Sequence, residues 1–333
     1  MKAAQIKKYS KKIKVSVNEV PIPEPNDNEV LLKVMAAAVN PLEILQLTGS
    51  VRLIQDYKMP LTLGNECSGI VEKVGNNVKD FHVGDRVYTR LPIKKIGAFA
   101  EYVAVDHEAL AKMPSGYEFT TAAAIPLAGL TAYQGLVEEL EVKPGKTLLI
   151  TGASGSFGQI AVPIAKSMEL RVIATGNARS KEKLIKMGAD QYIDYKKENY
   201  WDVLSDVDYV IDTLGANEFE HELSVLKKGG RLLSLRTAPN RMFAKRNGFS
   251  WLKSLLFTLA GSKFDSAARK QDKEYRFLFV RSDGEQLKRV TEIVEKYHIM
   301  PDIDPRIFSL SQVNEALELM ANGKLNGKII IQP

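Results

Sequence analysis

The stretch that decides the fold is Thr147-Leu-Leu-Ile-Thr-Gly152-Ala-Ser-Gly155-Ser-Phe-Gly158. A short apolar run passes into three glycines at intervals of three, and a helical pattern, Phe157–Ser167, begins at once. Glycine lets the backbone turn tightly and approach a diphosphate, whose charge is attracted by the positive amino terminus of the helix. The stretch therefore predicts a dinucleotide-binding turn, formed by Gly152, Ala153, Ser154, Gly155, Ser156, Phe157 and Gly158.

The residues beyond this turn continue to alternate between strand and helix patterns. Short apolar runs recur, and helical patterns such as Ser180–Met187 lie between several of them. Alternation at this spacing is typical of parallel βαβ units, so we expect an α/β chain with a doubly wound parallel sheet. The expected strands are Thr147–Thr151, Arg171–Thr175, Gln191–Ile193, Val207–Asp212, Gly230–Leu235 and a last one at Arg276–Val280.

The chain before this region predicts a different architecture. Runs rich in Val, Ile and Leu, such as Val30–Val39 and Ser68–Val74, are separated by turns that contain Pro, Gly and Asn. Strands that follow one another without intervening helices indicate an antiparallel barrel or sandwich. The tail of the chain is too short for a domain of its own, and we expect it to return to this one. The predicted domains are therefore 1–118 with 284–333, and 119–283.

Composition and charge limit the kind of protein. The 333 residues are 45% hydrophobic and 26% charged, which are ordinary values for a globular chain. The net charge of +6 is local, because residues 227–281 contain 14 basic and three acidic side chains. A protein that coats nucleic acid is basic over most of a face. We therefore expect no DNA partner.

Cysteine content and hydropathy indicate the compartment. Cys67 is the one cysteine, which excludes an intrachain disulfide and a structural zinc site built from thiolates. The uncharged stretch Ala122–Val137 has 16 residues and contains a proline and two glycines, whereas a membrane span needs about 20 apolar residues. We expect a cytoplasmic protein without stable membrane insertion.

The residues after Arg171–Thr175, the second strand, indicate which dinucleotide binds. NAD-binding proteins usually carry Asp or Glu about 20 residues beyond the glycines, where the carboxylate holds the ribose hydroxyls. Here Gly176-Asn177-Ala-Arg179-Ser-Lys181 follows the strand, and the first acid is Glu182. The missing carboxylate and the nearby guanidinium favour the 2′-phosphate of NADPH. A solvated helix start would also explain the two basic residues.

The chain resembles the medium-chain dehydrogenases/reductases in several motifs at once. The glycine turn matches, and so does Gly64-Asn-Glu-Cys-Ser-Gly69 in the β domain. Three stretches are similar to the quinone oxidoreductase branch: Ala38-Val-Asn-Pro-Leu-Glu43, Gly97-Ala-Phe-Ala-Glu-Tyr102 and Asn326-Gly-Lys-Ile-Ile330. The resemblance covers essentially the whole chain. It implies a Rossmann fold for the parallel sheet and a GroES-like fold for the mainly antiparallel domain.

The departures from this family exclude alcohol chemistry through zinc. In its zinc alcohol dehydrogenases, metal ligands occupy the positions that match Asn40, Asn65 and Leu127. Neutral amides are poor zinc ligands compared with thiolates and imidazoles. We therefore expect no bound metal. Asn40, whose amide would occupy the place of the lost metal, is the candidate catalytic residue.

The resemblance also implies the reaction and the rest of the cofactor site. It implies an NADPH-dependent reductase that passes hydride to a quinone or to the β-carbon of an enone, while the protein stabilises the developing oxyanion. Two alternatives stay open: an enoyl-thioester reductase, and a nucleic-acid-binding or crystallin-like protein that retains NADPH binding. Beyond the glycine turn, the residues assigned to the cofactor are Asn177, Arg179, Lys181, Tyr195, Leu214, Phe279 and Lys328.

Two stretches predict surfaces. An apolar edge strand at Arg276–Val280 invites pairing across a twofold axis, so we expect a homodimer. The basic segment Ala238–Glu274 is too long for an ordinary connection. A peripheral helix on the β domain, an interfacial membrane helix and a lid over the acceptor each fit its apolar cluster, which includes Trp251.

Overall fold

Residues 1–323 and 325–333 are described by the computed structural model, and they divide into two units. The first unit contains residues 1–130 and 281–333, and the second contains residues 131–280. The sequence places the first boundary at residue 118. It lies later in the structure because a short helix at residues 119–123 packs against three strands of the first unit.

The first part of the chain forms β structure with few helices. The elements are β1 (Lys2–Ile6), β2 (Ser16–Glu19), β3 (Glu29–Val39), α1 (Pro41–Thr48), β4 (Leu61–Thr62), β5 (Glu66–Val74), β6 (Arg86–Arg90), β7 (Tyr102–Asp106), β8 (Leu110–Lys112) and α2 (Phe119–Ala123). One small antiparallel sheet has the strand order β2-β1-β4, and the other strands of this part contribute to a larger sheet.

The second unit follows the boundary, which falls within the next helix. Its strands and helices alternate, as the sequence predicts. The elements are α3 (Pro126–Gln134), β9 (Thr147–Ile150), α4 (Ser156–Ser167), β10 (Arg171–Gly176), α5 (Lys181–Lys186), β11 (Gln191–Asp194), α6 (Tyr200–Val203), β12 (Val207–Asp212), α7 (Phe219–Val225), β13 (Leu226–Ser234), α8 (Arg241–Arg246), α9 (Trp251–Lys270) and β14 (Glu274–Phe277).

The described residues of the second unit form a six-stranded parallel sheet in the order β11-β10-β9-β12-β13-β14. Its central strands β9 and β12 are covered on both faces, as is typical of a parallel sheet, and β12 is buried along its whole length although it contains Asp208 and Asp212. The last strand begins and ends earlier than Arg276–Val280, the predicted range. Its partner β13 ends at Ser234, which pairs with Phe277, so the ladder ends there.

The basic segment 238–274 belongs to the second unit and contains two helices, α8 and α9. The sequence left open a helix packed on the β domain. Instead, α9 packs on α8 and β14, where Phe257 and Phe264 are buried among other aromatic rings. Trp251 is 78% exposed and is not a core residue. Among the described residues, no helix has the length and apolar character needed to cross a membrane.

The last part of the chain returns to the first unit and closes its large sheet. Strand β16 pairs with β3, and the order in the described residues is β15-β16-β3-β5-β6-β8, with β7 also paired to β3. Ile329 and Ile331 of this tail are buried in the same core as Leu32 and Val39 of β3. The elements are α10 (Gly284–Tyr297), β15 (Ile303–Ser309), α11 (Val313–Asn322) and β16 (Lys328–Gln332).

The predicted fold class is confirmed. The chain is an α/β protein with a parallel Rossmann sheet in one unit and a mainly antiparallel sheet, of the GroES-like type, in the other.

Candidate active site

Strand register brings together three polar residues that are far apart in the sequence. Asn40 follows the last residue of β3, while Glu66 and Lys328 are the first residues of β5 and β16. Strand β3 lies between the other two and runs antiparallel to both, with Val39 paired to Ile329 and Ala37 paired to Cys67. The carboxyl end of β3 therefore meets the amino ends of its two neighbours at one edge of the sheet.

The Lys328 and Glu66 side chains form a buried ion pair, and the Asn40 side chain is hydrogen-bonded to both. The Lys328 ammonium donates to Asn40 Oδ1 and lies 2.9 Å from Glu66 Oε1. Asn40 Nδ2 donates to Glu66 Oε1 at 2.9 Å, and Glu66 Oε2 accepts from the Leu127 amide at 2.7 Å. The exposed fraction is 3% for Asn40 and Lys328 and 0% for Glu66. Charges this deeply buried are tolerated only when each is paired and hydrogen-bonded.

The arrangement fixes which way the Asn40 amide points. Its oxygen faces the ammonium and its nitrogen faces the carboxylate, and a flipped amide would set donor against donor and acceptor against acceptor. The second Nδ2 hydrogen reaches the Ala38 carbonyl over a longer distance of 3.3 Å. The amide predicted as a donor to substrate thus has one hydrogen held firmly and one held weakly.

The start of α1 fixes the backbone of Asn40. Asn40 is the extended residue before the helix, and Pro41 is the first residue of the helix. The backbone N–H of Asn40 donates to Glu43 Oε2 at 2.6 Å. Proline is pre-shaped for this position, and an acid three residues after the cap completes the turn. The Asn-Pro-Leu-Glu order in the sequence therefore sets the position of the amide.

A second network of buried hydrogen bonds includes Asn65 and Gln46, and Glu43 connects it to the backbone of Asn40. Asn65 donates to Glu43 Oε1 through its backbone amide at 3.0 Å, and Asn65 and Gln46 exchange two side-chain hydrogen bonds at 2.8 and 2.9 Å. Complete burial raises the pKa of Glu43 to about 7, although hydrogen bonds from Asn65 and Asn40 oppose the shift. Asn65 is therefore a structural amide, held on both sides.

Arg90 is a functional candidate that the sequence interpretation missed. It is the last residue of β6, directly opposite Glu66 in the sheet, and it is fully buried. Burial lowers its pKa to about 10, an effect that Tyr57, Glu43 and Glu66 partly oppose. Among the described residues, its Nε and Nη2 groups have no hydrogen-bond partner. Four adjacent strands thus place Lys328, Asn40, Glu66 and Arg90 in a row, and only its position at the end of a predicted strand could have indicated the arginine.

The glycine turn of the second unit has the shape that the sequence predicts. Gly152 has φ +64°, and a Cβ there would lie 2.4 Å from Thr213 Oγ1. A Cβ on Gly158 would lie 2.0 Å from the Ala153 carbonyl oxygen. Both positions therefore require glycine for internal packing, the first also for its backbone conformation.

Gly155 differs from the other two because its empty side faces open space. A Cβ there would have Gly152 O, at 3.8 Å, as its nearest neighbour, and φ is an ordinary −78°. Gly155 is also the cap of α4, and its position carries no side-chain cap for the helix that starts at Ser156. The backbone amides of Ser156 and Phe157, at the start of this helix, are placed to bind an anion. These residues fit the diphosphate of a dinucleotide.

Two residues that the sequence interpretation did not single out hold loops at the carboxyl ends of the parallel strands: Thr175 holds the glycine turn, and Asp212 holds the loop that follows β12. Thr175, at the end of β10, accepts from the Gly152 amide through Oγ1 at 3.1 Å and from the Ala153 amide through its carbonyl at 2.7 Å. Asp212, the last residue of β12, accepts from the Leu214 and Gly215 amides at 2.6 and 2.7 Å. Polar residues at the carboxyl ends of parallel strands were the available signal.

The residues predicted to bind the 2′-phosphate lie at the ends of neighbouring strands. Gly176 and Asp194 are paired, so Asn177 and Tyr195 follow them side by side. Tyr195 is 57% exposed, and its amide donates to Gly176 O at 3.2 Å. The Asn177 side chain caps the turn by accepting from the Arg179 amide, and the Arg179 and Lys181 side chains are exposed.

The remaining predicted cofactor residues are separated. Leu214 is 46% exposed beside the glycine turn, since a Cβ on Gly152 would come within 2.8 Å of it. Phe279 is half-buried just beyond β14. Lys328 belongs to the first unit, and its polar contacts there are with Asn40 and Glu66.

Comparison with known proteins places the chain in a family. Residues 26–115 match a family model described as an alcohol dehydrogenase GroES-like domain, and residues 187–331 match one described as a zinc-binding dehydrogenase. A 2-methylene-furan-3-one reductase of Solanum lycopersicum is 32% identical over 325 residues, which are 95% of this chain and 74% of that protein. The chain belongs to the medium-chain dehydrogenase/reductase superfamily, in its quinone oxidoreductase branch.

Two further relatives agree with this assignment. An NADPH-dependent alkenal/one oxidoreductase from chloroplasts of Arabidopsis thaliana is 30% identical over 325 residues, covering 95% of this chain and 75% of that protein. The structure of a quinone oxidoreductase from Coxiella burnetii superimposes with a TM-score of 0.83 at 27% identity, covering 100% of this chain and 99% of the other. The predicted assignment to a family of oxidoreductases is confirmed.

The site does not fit the zinc that the name of one family model implies. Two of the positions that hold metal ligands in zinc-containing members of the superfamily are Asn40 and Asn65, whose amide oxygens already accept hydrogen bonds. The Lys328 ammonium beside Asn40 would also repel a second cation. Among the described residues, no group of three or more His, Cys, Asp or Glu side chains is placed to hold a metal ion.

A matched pair of glycine variants tests the dinucleotide turn. Gly158→Ala places a Cβ against the Ala153 carbonyl, so we expect the melting temperature and the affinity for NADPH to fall together. Gly155→Ala places its methyl group in open space. We expect an unchanged melting temperature and an affinity for NADPH lower by at least about tenfold, or about 1.4 kcal/mol. Thermal unfolding and fluorescence titration measure both quantities, and normal NADPH binding by Gly155→Ala would contradict the assignment.

Proposed function

We propose that this protein uses NADPH to reduce quinones or enones without a metal ion. The observation that carries the proposal is the buried group of Lys328, Asn40 and Glu66, which presents a polarised amide where zinc relatives hold a metal. The similarity to proteins named as an alkenal/one oxidoreductase, a furanone reductase and a quinone oxidoreductase supports the same substrate class.

Asn40 stabilises the negative charge that forms on the acceptor oxygen. Its second Nδ2 hydrogen, which bonds the Ala38 carbonyl at 3.3 Å, makes the weaker of its two hydrogen bonds and is the one that we assign to the oxyanion. A donor fixed before the reaction stabilises developing charge without reorganisation. Glu43 and Pro41 keep this donor in place through the backbone of Asn40.

Lys328 strengthens this donor. An ammonium bonded to the amide oxygen draws electron density from the amide and makes its N–H groups better donors, as in other hydrogen-bond chains. Glu66 holds the ammonium and fixes the amide orientation. Lys328 thus acts through Asn40 and supplies positive charge where the zinc relatives use a metal.

The reaction balances with solvent as the proton source. NADPH, when bound, would supply the hydride. If the β-carbon of an enone took up that hydride, the electron pair of its double bond would move to the carbonyl oxygen, and Asn40 would stabilise the charge on that oxygen. A proton from water would complete the saturated ketone, and a quinone would likewise take up one hydride and one proton to give the quinol.

Replacing Asn40 tests the proposed role. We expect Asn40→Ala to lower kcat for an enone and a quinone about 100-fold, the usual effect of losing one oxyanion donor. Asn40→Asp should be at least as defective, because a carboxylate only accepts. Stopped-flow absorbance of NADPH measures turnover, and Asn76→Ala, which removes an exposed amide of the same unit, is the control. Wild-type turnover by Asn40→Ala would contradict the proposal.

The preference for NADPH over NADH is part of the proposal. Arg179 and Lys181 are exposed shortly after the end of β10, and Asn177 takes the position where NAD-binding proteins carry an acid. Two cations and no acid within residues 176–181 favour a 2′-phosphate over two ribose hydroxyls.

The double variant Arg179→Ala/Lys181→Ala tests this preference. Each charge-assisted contact contributes roughly 1.5–3 kcal/mol, so the affinity for NADPH should fall at least about tenfold. The affinity for NADH should change less than about twofold, since it has no 2′-phosphate. Lys11→Ala/Lys12→Ala removes the same charge from an exposed stretch elsewhere and serves as the control. An equal loss for both cofactors would show that the two residues are structural.

Three further features complete the proposal. We place the protein in the cytoplasm, where a free cysteine such as Cys67 stays reduced. We also propose a homodimer, because β14 is the edge strand of the parallel sheet and edges of this kind tend to pair. Turnover of enoyl thioesters, measured beside quinones and enones, separates the enoyl-thioester alternative.

A further inference from the structure

Helix α9 has two apolar faces, and the fold uses one of them. Phe257, Gly261, Phe264 and Ala268 are buried, and their spacing of three or four residues forms one continuous stripe. The Phe257 ring packs edge to face on Phe243 of α8, with centroids 5.6 Å apart. A Cβ on Gly261 would come within 2.6 Å of Asn240, so the helix lies close against its neighbours. This stripe holds α9 in the second unit.

The opposite face of α9 carries a second apolar stripe in its amino-terminal half, and this stripe is exposed. At about 100° per residue, the centre of this stripe lies near 180° from the centre of the buried stripe. Trp251 is 78% exposed and Leu259 is 63% exposed, and the other three members are between 42% and 52% exposed. We call this set the α9 stripe: Trp251, Leu252, Leu255, Leu256 and Leu259.

The second half of the same face is basic. Lys263, Arg269 and Lys270 are exposed on it. The acid of α9, Asp265, is half-buried and accepts from Asn240 Nδ2 at 2.8 Å. The exposed face of α9 therefore combines an apolar half with a positive half.

We propose that the α9 stripe and its basic residues bind the protein reversibly to an anionic lipid surface. Tryptophan and leucine side chains enter the headgroup region, where the amphipathic indole is favoured, and the lysines and arginines contact the phosphates. The helix remains packed on α8 and β14 through its other face, so the protein lies on the membrane. This binding does not depend on the proposed reaction.

Charge argues against a second copy of this chain as the occupant. A twofold contact through the α9 stripe would leave the basic residues of both copies without acidic partners. Lys253 and Lys263 are the charged residues of α9 before Asp265, so the partner surface would offer no opposite charge. An anionic surface complements both halves of the face.

Vesicle binding of the full chain tests the proposal. Flotation would use vesicles of phosphatidylcholine with phosphatidylglycerol, and pure phosphatidylcholine for comparison, at low and high salt. We expect binding to the anionic vesicles that weakens with salt and is at least about tenfold weaker on neutral vesicles. Leu255→Ser/Leu259→Ser and Lys263→Glu/Lys270→Glu should each lower the binding at least about tenfold.

Matched controls change the same chemistry elsewhere. Val83→Ser/Val203→Ser removes exposed apolar side chains from other surfaces, and Lys11→Glu/Lys12→Glu reverses two exposed charges. Both should bind vesicles like the wild type. Far-UV circular dichroism of each variant checks the fold, and all substituted side chains are exposed, so each variant should melt within a few degrees of the wild type.

Three outcomes would overturn the proposal. Equal binding of the wild type to neutral and anionic vesicles would remove its electrostatic basis. Loss of binding in the lysine variant with full binding in the leucine variant would indicate a site for a polyanion such as RNA. A dimer that becomes a monomer in Leu255→Ser/Leu259→Ser by light scattering, with vesicle binding unchanged, would assign the α9 stripe to a second copy.

Discussion

The ion pair between Lys328 and Glu66 joins the last strand of the chain to β5, with Asn40 between them. It can form because β3 runs antiparallel to both neighbours, which brings one carboxyl end and two amino ends to a single edge. A shift of one residue in either ladder would turn these side chains to the other face of the sheet. The site therefore depends on strand register across a sheet that the tail of the chain completes.

Because Lys328 and Glu66 are buried, each charge depends on the other as its partner. Removing one member of a buried pair typically costs about 3–5 kcal/mol, because the other charge remains without compensation. Glu43 and Arg90 add a second buried acid and a second buried cation near Lys328 and Glu66, so the buried charges can offset one another. Such a site holds a fixed positive charge beside an oriented amide, which is what a developing oxyanion requires. The same positive charge explains why a metal cation has no place there.

The sequence predicts one half of the molecule better than the other, for physical reasons. The glycine turn is local, so its three glycines and the start of α4 could be predicted from spacing alone. The group around Asn40 joins residues separated by 26 and 288 positions, and no local pattern encodes that pairing. The sequence predicted Asn40 as the catalytic residue and Lys328 as a cofactor-binding residue, so it did not predict that the two side chains are bonded. Arg90 was missed.

The central claim is that Lys328 acts on the reaction through the amide of Asn40. A double-mutant cycle on kcat measures this coupling directly, with Asn40→Ala, Lys328→Gln and their combination. The account predicts that Lys328→Gln lowers kcat in the wild-type background and causes no further loss once Asn40 is alanine. An equal fold loss from Lys328→Gln in both backgrounds would show that the two residues act independently, and it would contradict the account.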